Sequence, residues 1–130
     1  MKYTGCIIEE SLKDKSILSE FIIASKNVQN VTEKHGTPNL SMWTMCIVEI
    51  DEEKVESVVL RLSSAIDDSG VNGTWYTDLK CEDFHYIIYP RKVFRVDRTK
   101  PEQYEEAKEY GLAQGIPEYQ LPNRYWAKVQ

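Results

Sequence analysis

Asp78 and His85 lie in two adjacent β-rich runs, 74–79 and 84–89, joined by Lys80-Cys81-Glu82-Asp83. If these runs form an antiparallel hairpin with Leu79 opposite Phe84, Asp78 falls opposite His85, Thr77 opposite Tyr86 and Tyr76 opposite Ile87. A carboxylate beside an imidazole fixes the ring tautomer and favours its charged form, which is what general acid–base chemistry requires. His85 and Asp78 are therefore the candidate catalytic pair. Tyr76 and Tyr89 share their face, and with Arg91 they are the candidate ligand-binding residues. The competing reading is a cross-strand polar pair on a solvated face, because two residues without a positioned nucleophile specify no reaction. A slip of one residue would separate the pair altogether.

The cations Arg91, Lys92, Arg95, Arg98 and Lys100 face only Asp97 across residues 91–100, a local reversal of an acidic chain. With Tyr86, Tyr89 and Phe94 nearby, such a hairpin could stack on single-stranded nucleic acid. Sixteen Lys and Arg against 21 Asp and Glu leave a net charge of −5, however, which disfavours nucleic acid and anionic membrane. Edge strands also carry Lys and Arg to prevent edge-to-edge pairing. His35 lies in the polar stretch 32–39, which Gly36 and Pro38 mark as a loop. Two histidines and three distant cysteines, Cys6, Cys46 and Cys81, give no zinc spacing, so no metal and no cofactor is expected. No Gly-x-Ser-x-Gly elbow and no glycine-rich phosphate loop occur. Cys81 falls at the hairpin tip, where exposure would favour reactivity and the flanking Glu82 and Asp83 would oppose it.

These residues need elements to position them. The 130-residue chain has 42% hydrophobic and 28% charged residues, enough apolar mass for one modest core. Residues 3–9 read as a first strand, and Leu12, Ile17 and Leu18 suit a short helical turn. Residues 21–31 read as a strand with Ile22, Ala24, Lys26, Val28 and Asn30 on one side; a longer helix is the alternative. Residues 42–50 carry apolar groups on both faces, as a central strand does, with Trp43 in the core. Asp51 then caps a helix along which Val55, Val58, Val59, Leu62, Ala65 and Ile66 repeat at three- and four-residue spacing. Residues 93–96 add a strand to the hairpin. The spacing of Thr99 and Glu102 is that of a capping box opening a helix that stops at Gly115, with Tyr104, Ala107, Gly111 and Leu112 inward.

The order implies an α+β domain: a mainly antiparallel sheet with helices packed on one face, nearest to the ferredoxin-like plait. Residues 1–116 form that single domain. Residues 117–130 form an extended C-terminal tail with Tyr119, Tyr125 and Trp126 as docking points.

The runs Glu33-Lys34-His35-Gly36-Thr37-Pro38, Trp43-Thr44, Trp75-Tyr76-Thr77-Asp78, His85-Tyr86-Ile87-Ile88 and Lys92-Val93-Phe94, with residues 110–119, resemble a group of small uncharacterised prokaryotic proteins. The resemblance reaches to about Leu121. It implies a compact α+β, ferredoxin-like domain and brings no activity, ligand or catalytic residue.

The sequence thus favours a cytoplasmic binding or interaction module, with reduced thiols and no membrane span. Its expected partners are a second copy, another protein or a small molecule. The alternative is a small enzyme in which His85, oriented by Asp78, acts as general base on a small anionic substrate near Arg91.

Overall fold

A computed structural model of the chain describes residues 1–32, 37, 40–71 and 73–122. The loop histidine His35 and the tail aromatics Tyr125 and Trp126 lie outside the described residues.

The order is β1 (Lys2–Ile8), β2 (Ile22–Asn30), β3 (Met42–Asp51), α1 (Glu52–Ala65), β4 (Thr77–Lys80), β5 (Phe84–Tyr89), β6 (Lys92–Asp97) and α2 (Pro101–Ala113). The six strands form one antiparallel sheet in the order β2-β3-β1-β4-β5-β6. The class is α+β. Among the described residues, no helix is long and apolar enough to cross a membrane.

Helix α1 follows its apolar spacing. Val55, Val58, Val59, Leu62 and Ala65 are buried with Tyr3, Ile7, Cys46, Val48, Ile50 and Leu79, so the helix covers one face of the sheet. Strand β5 alternates: Tyr86 and Ile88 join that cluster, whereas Ile87 and Tyr89 join a second one with Tyr104 and Ala107 of α2. The expected packing on one face thus describes α1, and α2 meets the opposite parity of β5.

Residues 22–30 are strand, as the β-branched content required, yet all nine are exposed. A bulge between Ile23 and Ser25 breaks the expected alternation, placing Ile22, Ser25, Asn27 and Gln29 opposite Glu49, Ile47, Met45 and Trp43. The capping box at α2 does not form. Thr99 instead donates from its N–H and hydroxyl to Asp97, and Pro101 opens the helix after Lys100, which makes no side-chain cap. At the other end Gly115, at φ 90°, makes the expected stop. Its N–H donates to the Leu112 carbonyl and that of Ile116 to Gly111, while the Ile116 side chain is buried. Tyr104, Ala107 and Gly111 point inward as expected, but Leu112 is exposed. The chain then makes a short 3-10 turn, Glu118–Gln120, and buries Leu121 against α2's cluster, so residues 117–121 pack on the domain instead of trailing from it.

Strands β1 and β4 meet through only three residue pairs, Thr4 with Lys80, Gly5 with Leu79 and Cys6 with Asp78. A Cβ at position 5 would lie 2.2 Å from the Asp78 carbonyl oxygen, so this approach requires glycine. Gly5→Ala is expected to lower stability by about 2 kcal/mol or more, because backbone rather than a flexible side chain must yield. Gly70→Ala, at φ +80° in open space, should cost about 1 kcal/mol through backbone strain alone. Urea unfolding midpoints test the ranking, and an unchanged midpoint for Gly5→Ala would refute the close-approach argument.

Candidate functional site

The β4–β5 hairpin sets the site, in a register two residues from that expected. Lys80 lies opposite His85, and Asp78 lies opposite Ile87. Strand β4 runs one residue further than its hydrophobic pattern suggested, and the turn tightens around Glu82 and Asp83, with the Cys81 N–H donating to the Phe84 carbonyl. A shift of two leaves every side chain on its expected face, because the strand period is two. Asp78 and His85 therefore meet diagonally: His85 Nε2 lies 2.5 Å from Asp78 Oδ2.

His85 is only 1% exposed, so the face is not solvated there. Its other nitrogen, Nδ1, lies 2.9 Å from the Tyr104 hydroxyl on α2. The Arg98 guanidinium acts on Tyr104 from nearby, and its Nη1 donates to the Cys81 carbonyl at 2.7 Å, while its buried Nε has no partner among the described residues. A carboxylate can only accept, so Nε2–H donates to Asp78, and Nδ1 shares a hydrogen bond with the Tyr104 hydroxyl. Burial pushes the Tyr104 hydroxyl above its usual range, which keeps its proton in place for this chain.

Asp78 is the outward end. Its side chain retains 25% of its exposure, and Oδ1 has no hydrogen bond among the described residues. It opens into a cavity of about 550 Å³ on the sheet face opposite α1. Cys6, Ile8 and Met45 form the floor, following the pairs Cys6 with Asp78 and Ile8 with Met45. Trp43 and Trp75 form one wall, their rings 5.4 Å apart and inclined by 56°. Trp43 Nε1 donates to Thr37 at 3.0 Å, whereas the buried Trp75 Nε1 has no partner among the described residues. The roof is the segment after α2, from Gly115 to Gln120. Two hydroxyls clamp it: Thr74 donates to the Gln114 carbonyl at 2.8 Å, and Tyr76 donates to the Gln120 carbonyl.

Of the residues singled out in the sequence, Asp78 and His85 meet, and Tyr76 lines the cavity with Asp78; Tyr89 and Arg91 do not line it. Tyr89 is fully buried and donates its hydroxyl to the Ala107 carbonyl at 2.7 Å, so it is a core residue. Its ring packs on Tyr76, Phe94 and Tyr110. Arg91 occupies the β5–β6 turn at φ 61°, with Asp68 3.7 Å away, and does not line the cavity. A turn tip must point away from the sheet face that holds Asp78, and the sequence separation alone concealed this. The basic run is dispersed as well: Arg95 stacks on Phe84, Lys92 on Phe94, and Arg98 is drawn inward. Of the three aromatics expected beside it, Tyr86 and Tyr89 are buried and Phe94 is half-buried. Cys81 is buried instead of exposed at the tip. No group of three His, Cys, Asp or Glu side chains suited to a metal ion occurs among the described residues.

Sequence reasoning missed Trp43 as a cavity wall, the roof segment and Cys6. The aromatic residues of that wall were visible as Trp43 and Trp75; their meeting across 32 residues was not. No family model, no curated protein and no solved structure matches this chain.

Burial, and then the Asp78 charge, raises the pKa of the Cys6 thiol. Removing that charge in Asp78→Asn should lower the Cys6 pKa, leaving more thiolate at pH 8 and a faster reaction with iodoacetamide. Rates for the variant and the wild type, with Cys6 identified by peptide mapping, check this. An equal or slower rate would contradict the electrostatic coupling.

Proposed function

We propose that this chain is a binding module that takes a small, largely apolar molecule in the cavity between the β1–β4 seam and the roof segment. One observation carries the reading: a cavity within the size range of ligand sites, about 300–1,000 Å³, is lined by apolar and aromatic groups and, among the described residues, by one ionic side chain, Asp78. The roof is held by side-chain hydroxyls to backbone carbonyls, so the site is largely preformed and little ordering opposes binding. A cytoplasmic location and a likeness to the ferredoxin-like plait, enlarged from four strands to six, belong to the same proposal.

The enzyme alternative draws less support from this geometry. His85 lies behind Asp78 and cannot touch a substrate in the cavity, and Arg91 is not there to hold an anion. The reading is tested by screening small aromatic fragments by NMR. Binders should shift the Met45 methyl and Trp43 indole signals together, and Trp43→Ala should weaken them about tenfold or more, the scale of losing one buried aromatic contact. Binders mapping elsewhere would refute the assignment.

A second reading, an interaction module that pairs through β2, is favoured by that strand's exposure along its full length, with Ile22, Ile23 and Val28 unburied. It predicts a concentration-dependent dimer in light scattering that Val28→Lys abolishes. A monomer at all accessible concentrations would eliminate self-pairing.

A further inference from the structure

We infer that the ligand is a monocationic organic amine, its ammonium on Asp78 Oδ1 and its apolar body against the Trp43–Trp75 wall; this deepens the binding reading above and rests on it.

The buried contacts behind Asp78 orient it. His85 Nδ1 meets the Tyr104 hydroxyl, and His85 Nε2 lies 2.5 Å from Asp78 Oδ2, holding that oxygen in place. One oxygen of Asp78 is thereby fixed, and the other is left to the cavity. An incoming donor meets a preoriented acceptor, and a charged donor makes the stronger bond. No Lys or Arg lines the cavity among the described residues; Lys80, two residues along the same face, is exposed to solvent. An anion would therefore enter against the Asp78 charge with no cation to receive it, and an uncharged molecule would offer Oδ1 only a neutral donor, weaker than a charge-assisted one.

The walls argue the same way. Indole faces carry the negative quadrupole that attracts a cation, and Trp43, Trp75 and Tyr76 lie beside the single carboxylate. Aromatic surface with one carboxylate is the pairing that recognises an amine, by a charge-assisted hydrogen bond at one end and apolar contact at the other.

Three probes of one shape separate the possibilities: phenethylamine, 2-phenylethanol and phenylacetate, titrated at pH 7 into full-length protein carrying Trp126→Phe. Fluorescence then reports Trp43 and Trp75, and protection of Cys6 from iodoacetamide reports occupancy of the floor. Phenethylamine should bind about tenfold or more tightly than 2-phenylethanol, the usual scale of a hydrogen bond to a charged group, with phenylacetate weakest. Asp78→Asn should bring the amine to within about twofold of the alcohol, because it removes the charge and keeps the shape. The comparison within the wild-type pocket stands even if that variant folds poorly. If the alcohol or the carboxylate binds as tightly as the amine, or the amine preference survives Asp78→Asn, the amine assignment is overturned and the cavity reading survives. If none of the three changes either signal, both are overturned.

Discussion

The continuity of the sheet rests on the narrow seam between β1 and β4. Three residue pairs join the β2-β3-β1 half to the β4-β5-β6 half, and Gly5 lets the Asp78 carbonyl approach where any side chain would hold it off. The Thr77 hydroxyl adds a bond to the Cys6 carbonyl at 3.0 Å across the same seam. The apolar cluster beneath α1 crosses this line, drawing Tyr3, Ile7, Val48 and Ile50 from one half and Leu79, Tyr86 and Ile88 from the other. Burial of that common surface supplies the cohesion that a ladder of three residue pairs would not. The cavity sits on the other face of the seam, so the element that unites the fold also positions the carboxylate.

The polar groups behind Asp78 carry a stability cost. Tyr104 and His85 lie in the interior beneath α2 and share a hydrogen bond, whereas half-buried Arg98 donates from Nη1 to the Cys81 carbonyl and leaves its buried Nε without a partner among the described residues. Removing one member would strand the next, at about 1–3 kcal/mol for each unsatisfied group. The arrangement ties α2 to the hairpin at a fixed height and rotation, since Tyr104 must reach Nδ1. Tyr89, donating to the Ala107 carbonyl one turn further on, sets a second point of the same docking. The aromatic contacts of Tyr89 with Tyr76, Phe94 and Tyr110 fill the space between those points.

The sequence was informative where a local rule governed. The spacing of Val55, Val58, Val59 and Leu62 dictated α1, Gly115 before Pro117 dictated the end of α2, and the period of two placed Asp78 and His85 on one face despite the wrong register. It was silent where the deciding contact was distant. Ser63 donates to the Tyr89 carbonyl from 26 residues away, and Trp43 meets Trp75 only after β3, α1 and the intervening loop have folded. Tyr89 looked like a site residue because it shares the strand face of His85, and Arg91 because it is a cation just beyond the hairpin. Four residues along a strand is about 13 Å, which carries Tyr89 under α2 and leaves Arg91 beyond the sheet's end. The Thr99–Glu102 spacing misled for a local reason: Asp97 competes for the Thr99 hydroxyl and takes it.

The two sides of the cavity differ in how firmly they are held. Asp78 stands beside β5, whose last five residues are buried, whereas Trp43 stands on β3 directly opposite Gln29 of the exposed edge strand. Backbone opening costs least where little apolar surface is lost, so β2 forms the low free-energy margin of the sheet and β5 its high one. Fluctuations that free the end of β2 remove the neighbour of Trp43 without disturbing the carboxylate. The cavity is thus bounded by a firmly held carboxylate on one side and, on the other, by a wall whose outer neighbour opens at lower cost.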